Sequence, residues 1–182
     1  MNKTIVSLSL LAALGMGMSA ANAASTGTIT FNGELTATTC DVIVDGQAAD
    51  ATVTLPTIGT NQLTLAGQTA GSTNFNMALS SCAGTLTTAS AFFEDGASVD
   101  AVNGRLNNMT GTATNVQLQL RDGSSTSRDV IQVGNTNQVA NTTYKDISSG
   151  STTLPYAVEY YANGATTAGT VVTNVVYSVQ YK

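Results

Sequence analysis

Apolar side chains recur at every second position through most of this chain, a period that fits strands with one buried face and not helices. Ile29 and Phe31 alternate with Thr28, Thr30 and Asn32. Val53 and Leu55 do so before Pro56, and Leu63 and Leu65 before Gly67. Phe75, Met77 and Leu79 share a face just ahead of Cys82, while Val116, Leu118 and Leu120 oppose Gln117 and Gln119. Tyr156, Val158 and Tyr160 repeat the pattern, and the final run places Val175, Tyr177, Val179 and Tyr181 on one face. Asp122-Gly123 and Asn163-Gly164 punctuate these runs with turn chemistry. Many short strands separated by turns predict an all-β, two-sheet sandwich over a βαβ layout, with strand order left open.

The opening residues have a different pattern. Lys3 precedes an apolar stretch from Ile5 through Met18, and Ser19-Ala20-Ala21-Asn22-Ala23 supplies small residues. A basic start, a short apolar core and a small-residue site predict a secretory signal peptide over residues 1–23. The apolar stretch is shorter than the roughly 20 residues of a spanning helix, so no stable transmembrane anchor is expected. Export places Cys40 and Cys82, the chain's 2 cysteines, in an oxidising compartment and predicts one disulfide between them; two buried free thiols are the alternative.

Charge is sparse, with 9% charged residues and a formal net charge of −5. Such a surface offers no footprint for phosphate backbones, and nucleic acid is not an expected partner. With 0 histidines the chain has neither the usual neutral-pH general base nor the commonest metal ligand. Glu94, Asp95 and Asp100 lack the convergent spacing of an acid/base pair, and Asp41, Asp45 and Asp50 do not match a calcium loop. No phosphate-binding glycine loop is present. No catalytic, metal or cofactor site is expected, and the chain reads as a non-enzyme.

The two ends of the exported part stand out together. One reads Ser25-Thr26-Gly27-Thr28-Ile29-Thr30-Phe31-Asn32-Gly33-Glu34-Leu35, with Cys40 soon after. The other reads Tyr177-Ser178-Val179-Gln180-Tyr181-Lys182, with Tyr181 penultimate and Gly169 fourteenth from the end. Between them lie Phe75-Asn76-Met77-Ala78-Leu79 before Cys82, the run 113–120, and Leu154-Pro155-Tyr156-Ala157-Val158-Glu159-Tyr160-Tyr161-Ala162. Taken in order, these segments resemble the major structural subunit of type 1 fimbriae, in the chaperone–usher pilin family.

The resemblance implies an incomplete immunoglobulin-like sandwich completed by a donor strand from another chain. Residues 24–34 would form the donor arm and the start of the first strand, and residues 35–182 the pilin domain. Ser25, Gly27, Ile29, Phe31 and Gly33 would enter successive pockets of a neighbour's groove. Gly169, Val175, Tyr177, Val179 and Tyr181 would form groove or chaperone contacts. The implied partners are identical or related pilin subunits, a periplasmic chaperone and an outer-membrane usher. The implied destination, reached through the periplasm, is an extracellular fimbrium that supports adhesion indirectly. Ser25 departs from the family pattern as a polar residue in an apolar slot, and Glu159 stands where a basic residue is common. Read without the resemblance, residues 25–33 serve equally well as the domain's own first strand. The rival functions are a self-contained extracellular carbohydrate- or protein-binding β-sandwich and a minor fimbrial adaptor.

Overall fold

The computed structural model describes residues 27–182, so the expected signal peptide and Ser25 lie outside the described residues. The chain divides into two compact units that meet between Glu34 and Leu35. In the first, residues 27–34 form neither strand nor helix, and Ile29 and Phe31 are 76% and 87% exposed.

The second unit is built from nine strands: β1 (Thr39–Val44), β2 (Thr69–Ala83), β3 (Thr88–Phe93), β4 (Leu106–Asn107), β5 (Val116–Asp122), β6 (Val130–Ile131), β7 (Lys145–Asp146), β8 (Thr152–Ala162) and β9 (Tyr177–Tyr181). One helical turn, α1 (Gln138–Asn141), is inserted between β6 and β7. The larger sheet runs β1-β2-β8-β5-β4, with β6 also on β5; the smaller runs β7-β3-β9. Every ladder is antiparallel.

Alternation explains the packing. Phe75, Met77 and Leu79 of β2, Leu118 and Leu120 of β5, and Leu154, Tyr156 and Val158 of β8 turn one face into a shared core. Ala89, Ala91 and Phe93 of β3 close that core from the second sheet. Tyr156 joins the sheets: its ring meets Phe93 edge-on at 5.2 Å, and its hydroxyl accepts the Ala91 N–H at 2.9 Å. A disulfide between Cys40 and Cys82 fastens β1 to the end of β2. Pro155 is tolerated in the central β8 because its carbonyl, and so its missing N–H, faces the point just past the end of β5, where Gly123 donates to that carbonyl.

Two period-two segments are not strands. Val53 and Leu55 turn inward, yet residues 49–58 make no main-chain-to-main-chain hydrogen bond among the described residues. A strand needs a partner as well as a pattern, and this segment has the pattern alone. Around Leu63 and Leu65, a 3-10 turn (Thr60–Gln62) and the Gln68 side chain, which accepts the N–H groups of Thr64 and Leu65, curl the chain instead. Leu63 is buried and Leu65 exposed.

The outer face of β5 also differs from expectation. Gln117 and Gln119 point away from the core but are buried, because the 94–105 loop folds over them, bringing Asp100 to Gln117 and Arg105 to Gln119. Arg105 donates to Gln119, Gln119 to Glu159, and Arg121 pairs with Glu159 at 2.6 Å. The Arg105 guanidinium lies 3.4 Å from the centre of the Tyr161 ring.

Candidate functional site

The smaller sheet stops at β9, whose neighbour is β3. Hydrogen bonds show which main-chain groups that leaves over. Lys182 and Thr88 exchange both their N–H and C=O bonds, and Glu94 donates to Val176 at 2.8 Å. Upstream, Asn174 accepts from the Ser98 hydroxyl, Val172 from Met109, and Thr170 from Ala113. Even-numbered residues therefore face the paired side all the way from Thr170 to Lys182. Because main-chain direction alternates along an extended chain, Val171, Thr173, Val175, Tyr177, Val179 and Tyr181 direct their N–H and C=O groups to the other side. No strand occupies that side among the described residues.

A groove lies along this edge. One wall is the segment 49–60, unpaired through residue 58, and the other is the run 166–177. Two adjoining cavities share these walls. The first, of about 510 Å³, lies between residues 49–55 and 173–177 over Phe75, Met77, Phe93, Leu118, Leu120 and Val158. The second, of about 540 Å³, lies between 57–60 and 166–172 over Leu63, Val116 and Tyr160. An open strand edge above an apolar floor has one plain chemical capacity: to take an extended segment whose main chain extends the sheet and whose alternate side chains fill the floor.

Two tyrosines hold the unpaired wall. The Tyr177 hydroxyl donates to the Ala49 carbonyl at 2.8 Å and the Tyr160 hydroxyl to the Pro56 carbonyl at 3.3 Å. Burial pushes both phenols above their ordinary value, with the charge of Asp50 adding to the effect at Tyr177, so both stay neutral donors at physiological pH. Tyr181 is raised too, chiefly by burial.

Of the residues singled out from sequence, Val175 and Tyr177 line the first cavity and Gly169 the second. Val179 and Tyr181 pack half-buried against the core further along the same edge. Gly169 has a steric reason to be glycine: a Cβ there would lie 2.5 Å from the Ala113 nitrogen and 2.6 Å from the Thr112 hydroxyl. Gly27, Ile29, Phe31 and Gly33 lie in the first unit, on an exposed stretch that is neither strand nor helix. Sequence reading missed the wall at 49–60, Tyr160 as its tether, and Thr173. The clue to the wall was the Val53–Leu55 alternation, which had no partner run to go with it.

Four of the acidic residues weighed for chemistry are engaged elsewhere. Asp45 accepts the Asn76 N–H, Glu94 accepts the Ser178 hydroxyl, and Asp95 bonds its own turn at Gly96. Asp100 lies below the ordinary carboxylate range, first because Gln117 donates to it and then because the Val102 N–H does. Among the described residues no group of three histidine, cysteine or acidic side chains converges on a metal position.

Comparison with known proteins gives a consistent picture. The family model for FimA, type-1 fimbrial protein A, matches residues 55–182. The major fimbrial subunit SMF-1 of Stenotrophomonas maltophilia (strain K279a) is 41% identical over 176 residues, covering 89% of this chain and 95% of that protein. The F17 fimbrial protein of Escherichia coli is 33% identical over 177 residues, covering 95% of this chain and 97% of the relative. Among solved structures, a chain of a chaperone–usher pilus superposes with a TM-score of 0.58 at 16% identity, covering 87% of this chain and 97% of the other. The P pilus rod subunit PapA does so with a TM-score of 0.55 at 14% identity, covering 79% and 99%. At those identities the two structures establish a shared fold.

Proposed function

This chain belongs to the type-1 fimbrial protein family, and from that premise we propose how it assembles: the leading segment of one copy fills the open-edged groove of another. The chain is an extracellular structural subunit of a chaperone–usher fimbria, with an incomplete immunoglobulin-like sandwich, and not an enzyme. Residues 1–23 direct export and are removed, residues 24–34 form the donor arm, and residues 35–182 form the domain that receives an arm.

The observation that carries the assembly reading is the row of odd-numbered residues from Val171 to Tyr181, whose main-chain groups face an unoccupied edge. Each hydrogen bond made there contributes about 1 kcal/mol net. Seating a phenylalanine or isoleucine of the arm in the apolar floor contributes about 1.5–3 kcal/mol more. Ser25, Gly27, Ile29, Phe31 and Gly33 are the groove-facing set of the arm. Val175, Tyr177, Val179 and Tyr181, with Gly169 at the far end, are the receiving set.

A head-to-tail contact of this kind does not close on itself, so it propagates as a filament. Identical or related subunits are the partners within the fibre. Before assembly the exposed apolar edge is an aggregation hazard. A periplasmic chaperone that occupies the edge until an outer-membrane usher brings in the next arm answers that hazard.

The test is to hold the subunit with its chaperone and add a peptide spanning residues 24–34. Displacement of the chaperone and capture of the peptide are expected. A chain lacking residues 24–33 should still bind the chaperone and accept the peptide, but should not donate to a neighbour. A peptide that fails to exchange under conditions where a competent fimbrial system does would contradict the reading.

A further inference from the structure

Three asparagines in this chain are followed by glycine: Asn32, Asn103 and Asn163. Such a dipeptide can react with itself, because glycine has no Cβ to keep its main-chain nitrogen from swinging onto the asparagine side chain. The fold restrains two of the pairs. The Gly104 N–H donates to the Asp100 carbonyl at 2.7 Å, while the Asn103 side chain donates to the Asp100 carboxylate and accepts the Arg105 N–H. Asn115 clamps the Asn163 turn, accepting the Asn163 N–H and donating through its side chain to the Ala165 carbonyl. Asn32 and Gly33 have no such restraint. Both are exposed, belong to neither strand nor helix, and make no main-chain-to-main-chain hydrogen bond among the described residues. Nothing lies within 4 Å of the place a Gly33 Cβ would take.

We propose that Asn32 is a site of spontaneous deamidation, which limits how long an unassembled subunit keeps a usable arm. The inference rests on the donor-strand reading and goes beyond it by giving the arm a chemical lifetime. Solvent base takes the Gly33 amide proton, and the nitrogen attacks the side-chain carbonyl carbon of Asn32. The bond from that carbon to the side-chain nitrogen breaks, the nitrogen takes a proton from water and leaves as ammonia, and a cyclic succinimide remains. Water then opens the ring at either carbonyl. Opening at the side-chain carbonyl gives aspartate; opening at the main-chain carbonyl gives isoaspartate, in which the chain runs on through Cβ.

The products differ in what they do to the arm. Asn32 stands between Phe31 and Gly33, so when those face the groove its own side chain points out of it. Aspartate there adds a charge in solvent and leaves the main chain as it was. Isoaspartate adds a methylene to the main chain itself, which breaks the period of two that puts Phe31 and Gly33 on one face. An arm already paired in a groove escapes the reaction, because extended strand geometry holds the Gly33 nitrogen away from the Asn32 side chain.

The test compares the mature subunit held by its chaperone with the assembled fibre, both incubated at mildly alkaline pH and followed by peptide mapping and isoaspartate detection. Asn32 should convert in the unassembled subunit and stay intact in the fibre, while Asn103 stays intact in both. Arm peptides spanning residues 24–34, with asparagine, aspartate or isoaspartate at position 32, test the consequence. The aspartate peptide should be captured as well as the asparagine peptide. The isoaspartate peptide should bind about tenfold more weakly, from the main-chain pairing lost beyond the break. An Asn32→Gln subunit, whose longer side chain closes a ring far less readily, should still donate its arm after an incubation that disables the wild type. Asn32 left intact in the free subunit, conversion as fast in the fibre, or full capture of the isoaspartate peptide would overturn the proposal and leave donor-strand assembly standing. Failure of the fresh asparagine peptide to be captured would overturn the donor-strand reading as well.

Discussion

The hydroxyl of Tyr177 reaches across the groove to the main-chain carbonyl of Ala49, 2.8 Å away. It ties an edge strand to a segment that has no strand partner of its own. Further along, Tyr160 makes the same kind of tie to Pro56. The receiving wall is thus held by side chains where a sheet would use a ladder.

Removing these ties should loosen the wall without unfolding the domain. Tyr160→Phe and Tyr177→Phe are each expected to cost about 1 kcal/mol in global stability. The larger effect should be local, with faster amide exchange and easier proteolysis across residues 49–58. Mass-resolved hydrogen exchange on the two variants checks it. Unchanged exchange in 49–58 would mean that packing of Val53 and Leu55 alone holds the segment.

Gly169 should resist even the smallest substitution. In Gly169→Ala the new Cβ meets main chain at Ala113 and the Thr112 side chain, so the run 166–176 must shift. The expected loss is about 1–3 kcal/mol in urea unfolding, together with weaker uptake of the arm peptide. A variant of wild-type stability would show that the 108–114 loop yields easily.

How much of this was legible in the sequence depended on whether the partner lay within the chain. Phe75, Met77 and Leu79, or Tyr156 and Val158, carry a period-two pattern and find neighbouring strands of their own, so pattern and structure agree. Val53 and Leu55 carry the same pattern and form no strand, because no segment of the described chain pairs with them. Gln117 and Gln119 show the opposite limit: their alternation marked the face away from the core, but burial there comes from a loop folding back and from the Arg105, Glu159 and Arg121 side chains. Contacts of that kind have no period to read.

The disulfide between Cys40 and Cys82 closes a loop with a sequence separation of 42 residues. On the loop-entropy model it stabilises the domain by roughly 4 kcal/mol. Replacing both cysteines with serine should lower the urea-unfolding free energy by about that amount and raise susceptibility to proteolysis before assembly. A loss well under 1 kcal/mol would show that the reduced chain already keeps β1 against β2 when unfolded.

Tyr156 ties stability to alkaline pH. It is almost fully buried, and burial holds its phenol above the ordinary value, against opposing hydrogen bonds from Ser90 and Ala91. A phenol raised in the folded state contributes stability that is whole below about pH 10 and is lost as pH climbs from there through the folded value. Urea unfolding at a series of pH values should show that decline. Tyr156→Phe should flatten part of it, while costing about 1–3 kcal/mol at neutral pH by leaving the buried Ala91 N–H unpaired. An unchanged alkaline slope in the variant would assign the decline to the other tyrosines.

Amide exchange at Val175, Tyr177, Val179 and Tyr181 bears most directly on assembly, comparing the unassembled mature subunit with the fibre. These N–H groups are expected to exchange quickly in the free subunit, where the edge is open, and to become strongly protected in the fibre, where a neighbour's arm pairs with them. Equal protection in both states would mean that the edge is already filled within one chain, and would contradict completion by a second.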